Sequence, residues 1–155
     1  MALKMNAIML VMGFAIATLV SVASAISGTA TYYTVYVPSA CYGYEEQGTM
    51  IAAASDAIWD NGGACGRMYR ITCTSGTNAG VAEPCKGGSV TVKIVDRCPS
   101  PGCQSTIDLS QQAFSVIANP DAGKINIVYT QSGVMKRQVP TTMLMHTHAS
   151  LAYDL

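Results

Sequence analysis

The chain has 155 residues, and its nine Lys and Arg side chains balance nine Asp and Glu side chains, so the formal net charge is +0 at pH 7. A nucleic-acid-binding domain needs a basic surface to neutralise phosphates, and this balance argues against that class of protein. The balance also gives no support for electrostatic attachment to acidic wall polymers or anionic lipids.

The N-terminus has the pattern of a secretory signal peptide. Lys4 precedes an apolar stretch over residues 7–22, and Ala23-Ser24-Ala25 then places small residues at both positions that a signal peptidase reads. The apolar run of about 16 residues is shorter than the roughly 20 that span a bilayer. We therefore predict a signal peptide over residues 1–25, a mature chain that begins at Ile26, and no membrane span.

The mature part is patterned mainly as short strands. Residues 28–37 are rich in β-branched and aromatic side chains and predict a strand that ends before Pro38. A short apolar run covers residues 50–54, and the remaining predicted strands lie at 66–73, 89–95 and 125–129. Five or six short strands with many glycine-bearing turns favour a small β-barrel over a sandwich or a helical bundle.

Two short helices are predicted between the strands. Ser55 stands at the N-cap position of a helix over residues 56–59, which Asn61-Gly62-Gly63 ends. Ser110 stands at the same position of a second helix that reaches Ala118. Trp59 is predicted to lie in the core, beside Ile58.

The six cysteines all lie in the mature part, and an even number in a secreted chain predicts three disulfides. A zinc site is disfavoured because there is no Cys-x2-Cys pair, and His146 and His148 lie far away near the C-terminus. We expect no metal and no cofactor. Six cysteines allow fifteen pairings, and the pattern alone does not choose among them.

Five segments in this order resemble a known family: Gly28–Tyr33, Ser39–Gly43, Ala57–Gly66, Val92–Pro99 and Ile107–Phe114. They resemble the plant natriuretic peptides, a single-domain secreted group of the expansin-like, endoglucanase-45-like superfamily. The resemblance covers residues 26–131 and implies a six-stranded double-psi β-barrel. It also implies the disulfides Cys41–Cys65, Cys73–Cys85 and Cys98–Cys103.

Residues 132–155 depart from this family and form an atypical C-terminal tail that we expect to be disordered. Two alternatives stay open for the tail, which are a propeptide processed after Lys136-Arg137 and an error in the gene model.

The resemblance also implies a polysaccharide groove lined by Thr31, Tyr33, Asp96 and Asp108. Asp108 matches the general acid of the related cellulases, whereas Thr34 stands where their catalytic base is an aspartate. A threonine hydroxyl does not accept a proton at neutral pH, so we expect no catalytic residue and no enzyme activity.

Several alternatives stay open for the groove residues. Asp96 could serve a mechanism that needs only one acid, as in relatives that act on peptidoglycan. Asp96 could instead bond backbone amides of the Cys98 loop, and Asp108 could hold the turn before the second helix. Tyr33, Tyr42 and Tyr44 are candidates for stacking on sugar rings, and the alternative for each is ordinary packing or exposure as a strand aromatic.

The resemblance implies a secreted, non-enzymatic signalling protein of plant water and solute homeostasis, which is monomeric and acts through an unidentified cell-surface receptor. In that family the activity maps to the segment equivalent to Tyr33–Arg67. The first alternative is a non-hydrolytic, expansin-like protein that binds cell-wall polysaccharide, and the second is a weak glycan-cleaving enzyme. Each of these predicts a location in the apoplast or cell wall.

Overall fold

The computed structural model describes residues 24–132. The predicted signal peptide, apart from its last two residues, and the predicted tail from residue 133 lie outside this range, together with His146 and His148. Six strands are present, which are β1 (Ile26–Tyr33), β2 (Ile51–Ser55), β3 (Met68–Gly76), β4 (Val90–Cys98), β5 (Ile107–Ser110) and β6 (Ile125–Ser132).

The six strands close into one barrel in the order β1-β5-β2-β4-β3-β6. The β1–β5 and β2–β4 pairs are parallel, and the other four neighbouring pairs are antiparallel. The predicted mainly β fold with six strands is confirmed. The four-residue strand β5 was not among the strands predicted from residue pattern, because its Ile-Asp-Leu-Ser run is too short to show alternation.

Strand β1 is shorter than predicted and ends at Tyr33 rather than at residue 37. Tyr33 pairs with Ser110, the last residue of β5. Beyond Ser110 the chain turns into a helix, so residues 34–37 have no parallel strand beside them. Residues 34–37 have side chains typical of strands, but they do not form one because no neighbouring strand pairs with their backbone N–H and C=O groups.

Alternating side chains of every strand fill the barrel interior. The fully buried set contains Phe114, Ile71, Ile94, Ile107, Leu109, Ile117, Ile125 and Ile127. The small residues Ala30, Ala52 and Ala54 face the same interior. Trp59 is partly buried and packs against this cluster, so it borders the core rather than lying within it.

Two α-helices and two 3-10 turns complete the fold. They are α1 (Asp56–Trp59), α2 (Gln111–Ile117) and 3-10 turns over Asp60–Gly62 and Pro120–Ala122. Ser110 caps α2, since its side chain accepts a hydrogen bond from the backbone N–H of Ala113. Ser55 occupies the N-cap position of α1, but its side chain makes no capping hydrogen bond.

Three disulfides join Cys41 to Cys65, Cys73 to Cys85 and Cys98 to Cys103, which is the pairing that the resemblance implies. The first two span 24 and 12 residues, and loops of that size stabilise a fold by about 3 kcal/mol each in the chain-entropy model. Among residues 24–132, no helix is long and apolar enough to cross a membrane.

Candidate functional site

Two aspartates flank Ala53, a residue near the centre of β2. Ala53 pairs with Asp108 of β5 on one side and with Asp96 of β4 on the other. Neighbouring strands lie about 4.8 Å apart, so the two aspartate Cα atoms are roughly 9 to 10 Å apart. Thr31 of β1 pairs with Asp108 and extends the row by one more strand. We call this row of Thr31, Asp108, Ala53 and Asp96 the groove row.

The groove row faces away from the barrel interior. Ala30, Ala52, Ala54, Ile107 and Leu109 belong to the core cluster, and the residues that alternate with them do not. Ala53 is nevertheless only 3% exposed. A small methyl side chain therefore forms the floor between the two carboxylates.

Asp96 reaches this face because β4 carries a bulge. Val90, Val92 and Ile94 point into the core, so a regular strand would turn Asp96 inward as well. The register instead passes from Ala52–Ile94 to Ala53–Asp96 and skips Val95. One extra residue in a strand moves the side chains that follow it to the opposite face of the sheet. Bulges of this kind commonly redirect a side chain at a functional site.

Asp108 ends a chain of hydroxyl groups. The Thr31 Oγ1 hydroxyl donates to Asp108 Oδ1 over 2.6 Å, and Thr31 Oγ1 lies 2.8 Å from Ser105 Oγ. Ser105 Oγ in turn donates to the backbone oxygen of Ile107 over 3.0 Å. Ser105 was not predicted from sequence, because no motif distinguishes it from a loop serine.

The surroundings of Asp108 change the pKa of its carboxyl group. Burial, followed by the charge of Asp96, raises the pKa of Asp108, while the hydrogen bond from Thr31 acts in the opposite direction. The pKa of Asp108 therefore lies above its ordinary value.

Tyr33 lies on the same face as Thr31, two residues further along β1. Its ring packs edge to face on Tyr36 at 5.2 Å, and its hydroxyl is buried without a hydrogen-bond partner. Burial raises the pKa of Tyr33, and the charges of Asp96, Asp108 and Tyr36 raise it further. The hydroxyl therefore stays protonated beside both aspartates. Tyr36, which supports the ring, donates to Gln112 and accepts from the backbone N–H of Gln111, and it was not predicted from sequence.

Asp96 has a structural role on one of its oxygens. Asp96 Oδ1 accepts from the backbone N–H groups of Ala40 and Arg97, each over 2.8 Å. The bond from Arg97 lies at the start of the Cys98 loop, where the structural alternative places the backbone partners of Asp96. The bond from Ala40 anchors the distant loop at Ser39–Gly43. The structural alternative for Asp108 is wrong in detail, since Asp108 bonds Thr31 and not the turn before α2.

The remaining predicted residues differ in how accessible they are. Thr34 follows β1 in a bend and is exposed. Tyr44 is 82% exposed and offers a free ring. The ring of Tyr42 is not free in the same way, because the ammonium group of Lys93 lies over it, 5.0 Å from its centre. A separate cavity of about 520 Å³ at Asp56–Ile58, Asp60, Asn61, Arg67 and Tyr69 contains no residue of the groove row.

Comparison with known proteins places the chain in a family. A family model described as lytic transglycolase matches residues 51–129. An EG45-like domain containing protein of Citrus jambhiri is 59% identical over 126 residues, which cover 81% of this chain and 95% of that protein. The chain belongs to the EG45-like domain family. The predicted membership of the single-domain, expansin-like and endoglucanase-45-like group is therefore confirmed.

More distant relatives of this EG45-like domain include expansins. Expansin-B4 of Arabidopsis thaliana is 30% identical over 115 residues, which cover 67% of this chain and 42% of that protein. The solved expansin of Clavibacter michiganensis superposes with a TM-score of 0.56 at 24% identity, over 72% of this chain and 52% of that one. The endoglucanase EG27II, solved in complex with cellobiose, superposes with a TM-score of 0.52 at 18% identity. The match covers 70% of this chain and 81% of that one. These two structures establish the double-psi barrel and nothing further.

Proposed function

We propose that the groove row and Tyr33 bind a neutral cell-wall polysaccharide in the apoplast without cleaving it. The observation that supports this proposal is the row itself, in which Asp108 and Asp96 face the same side across the methyl floor of Ala53. Carboxyl oxygens and a tyrosine hydroxyl without a partner are groups that hydrogen-bond sugar hydroxyls. The kinship with expansins and the endoglucanase fold support the same class of ligand.

The charge of the groove selects against acidic polysaccharides. Two carboxyl groups face the ligand, and the nearby cations have other partners: Arg97 pairs with Asp56, and Lys93 lies over Tyr42 and donates to Gln47. A polyuronate would bring like charges into this space, which costs free energy. We therefore expect neutral β-glucans or xyloglucan to bind and polygalacturonate not to bind.

Cleavage is disfavoured by the arrangement of acid and base. An inverting glycosidase needs a second carboxylate that activates water opposite the acid. Thr34 offers a hydroxyl at the position where the resemblance places that base, and Asp96 already accepts two backbone hydrogen bonds on one oxygen. We infer binding without hydrolysis, and release of new reducing ends by the wild type but not by Asp108→Asn would contradict it.

The binding test compares three proteins by isothermal titration against cellohexaose and xyloglucan. We expect the wild type to bind and Asp108→Ala to bind about 10-fold or more weakly, since hydrogen bonds to charged or strongly polar groups contribute about 1.5 to 3 kcal/mol. Asp121→Ala, at an exposed carboxylate outside the groove, is the matched control and should bind as the wild type does. Equal binding by all three proteins would contradict the proposal.

Signalling in water and solute homeostasis is the second candidate function. The segment Tyr33–Arg67 carries three exposed large apolar side chains, namely Val35 at 74%, Tyr44 at 82% and Met50 at 39%. Exposed apolar groups of this kind can serve as receptor contacts. Swelling of wall-free plant protoplasts by the oxidised wild type, lost in Tyr44→Ala and kept in Asp108→Ala, would favour signalling over wall binding. Absence of swelling would count against it.

A further inference from the structure

Ser55 carries a buried hydroxyl with no partner. The residue is 8% exposed, and its Oγ atom makes no hydrogen bond within residues 24–132. In that part of the chain, Tyr33 Oη is the other buried side-chain oxygen or nitrogen without a partner. Buried polar atoms in native proteins nearly always have a partner, so each of these two hydroxyls calls for a group that completes it.

The hydroxyl of Ser55 is not explained by the helix that follows it. Ser55 has the extended backbone of an N-cap residue, yet its side chain bonds no backbone N–H of α1. Ser110 makes the contrast clear, because its Oγ accepts from Ala113 N over 3.0 Å and donates to the backbone oxygen of Thr49. Both serines are buried at the start of a helix, and only Ser110 is used as a cap.

The position of Ser55 continues the floor of the groove. Ser55 and Ala53 are two residues apart on β2, so they share a face, and their Cα atoms are about 6.6 Å apart along the strand. Ala52 and Ala54 point into the core instead. Ser55 pairs with Cys98 of β4, and its N–H donates to Thr106 O, just before β5, over 3.2 Å. The same three strands that set Asp96 and Asp108 on either side of Ala53 therefore enclose Ser55.

The wall beside Ser55 is held in place by Asp56. Asp56 Oδ1 accepts from Arg97 Nε over 2.9 Å, and Asp56 Oδ2 accepts from Ser100 N over 3.0 Å. These bonds fasten the loop between Cys98 and Cys103 against the start of α1. Asp56 and Arg97 form an ion pair, so their charges offset each other at this end of the groove.

We propose that Ser55 is a ligand-binding residue, and that its Oγ hydrogen-bonds a hydroxyl of the sugar unit next to the one held between Asp96 and Asp108. This inference rests on the proposed glycan-binding function. A serine hydroxyl both donates and accepts, as a sugar hydroxyl does, so the pair is complementary in either direction. The Oγ atom has less than 1 Å² of exposed surface in the free protein, so a sugar hydroxyl reaches it only when the atoms that cover it move on binding.

The experiment measures affinity and thermal stability in the same variants. We expect Ser55→Ala to bind cellohexaose about 3- to 10-fold more weakly than the wild type, the loss typical of one neutral hydrogen bond. Its Tm should be unchanged or higher, because the substitution removes a polar atom that has no partner in the free protein. Ser115→Ala, at a partly exposed serine of α2 whose hydroxyl donates to Gln111 O, is the control for a serine outside the groove.

The outcomes separate this inference from the function on which it rests. If the wild type binds, Asp108→Ala does not and Ser55→Ala binds within 2-fold of the wild type, Ser55 is not a ligand-binding residue and the proposed function stands. A Tm drop of several degrees in Ser55→Ala would show that the hydroxyl has a structural partner, and would also overturn the inference. If the wild type binds no glycan, both fail together.

Discussion

The methyl group of Ala53 sets the shape of the site at the residue scale. A larger side chain there would fill the space between Asp96 and Asp108, both of which pair with Ala53 across the sheet. The residue is almost fully buried although it faces away from the core. Its importance was not predicted from sequence, because an alanine in an apolar run resembles every other alanine in that run.

The raised pKa of Asp108 predicts a definite dependence of stability on pH. The folded protein holds the Asp108 proton more tightly than the unfolded chain, whose carboxyl titrates near 3.8. The resulting stabilisation is complete below that pH and is lost as the pH rises through the higher folded pKa. Asp96 and Tyr33 face the same carboxyl and are present in both proteins, so the difference between the two proteins reports the titration of Asp108 together with its coupling to Asp96.

The measurement is the free energy of unfolding in guanidinium, at intervals from pH 3 to 7, for the wild type and Asp108→Asn. We expect the wild-type value minus the variant value to fall as the pH rises above about 4, since asparagine has no proton to lose. Parallel curves for the two proteins would contradict the assignment.

The bulge at Val95 shows why residue patterns only partly predicted this site. Asp96 was predicted as a groove residue from its resemblance to a family motif. Alternation with Val92 and Ile94 alone would have placed it in the core. The register shift that turns it outward depends on pairing with β2, which is distant in the sequence. Tertiary pairing of this kind leaves no local signal.

At the scale of elements, the loop from Ser39 to Gly43 depends on the same carboxylate. Asp96 accepts from Ala40 N, Cys41 N donates to Val95 O over 3.1 Å, and Cys41 is joined to Cys65. The bulged strand therefore positions Asp96 for the groove and also anchors the segment that follows β1. Asp96 thus has a structural role whether or not a ligand binds.

Two substitutions at Asp96 separate its structural role from ligand binding. Asp96→Ala removes the side-chain oxygen that accepts from two backbone N–H groups, and it should lower the free energy of unfolding by about 1 to 2 kcal/mol. Amide hydrogen exchange at Ala40 and Arg97 should become faster in this variant. Asp96→Asn keeps an oxygen that can accept at the same place, so it should lose less stability. Equal exchange rates in all three proteins would show that these hydrogen bonds do not hold the loop.

Short strands limited the prediction of elements more than any other feature. The second helix was predicted to within a residue, because Ser110 is a good cap and Asn119-Pro120 ends the helix. Strand β5 lies immediately before that cap and has only four residues. Strand β1 was predicted too long because its β-type side chains continue past the point where β5 ends. Strand length here is set by the neighbouring strand rather than by residue preference.

At the scale of the whole molecule, closure of the barrel brings the site together. Thr31, Ala53, Asp96 and Asp108 come from four strands, and the order β1-β5-β2-β4 makes those strands consecutive neighbours. The fold class and the residues Thr31, Asp96 and Asp108 were predictable because five ordered motifs resemble one family, whereas the role of Ala53 was not. The hydroxyl chain through Ser105 and the unpartnered Ser55 were not predictable, since both depend on three-dimensional proximity of ordinary residues.

The central claim is that the outer face around Ala53 binds a neutral glycan. The most direct measurement is the change in backbone amide NMR shifts of the oxidised protein on titration with cellohexaose. We predict that a polygalacturonate oligomer of equal length leaves these amides unmoved, and that cellohexaose causes the largest shifts at the groove residues Thr31, Tyr33, Ala53, Ser55, Asp96 and Asp108. Shifts confined to another face, or none at saturating cellohexaose, would contradict it.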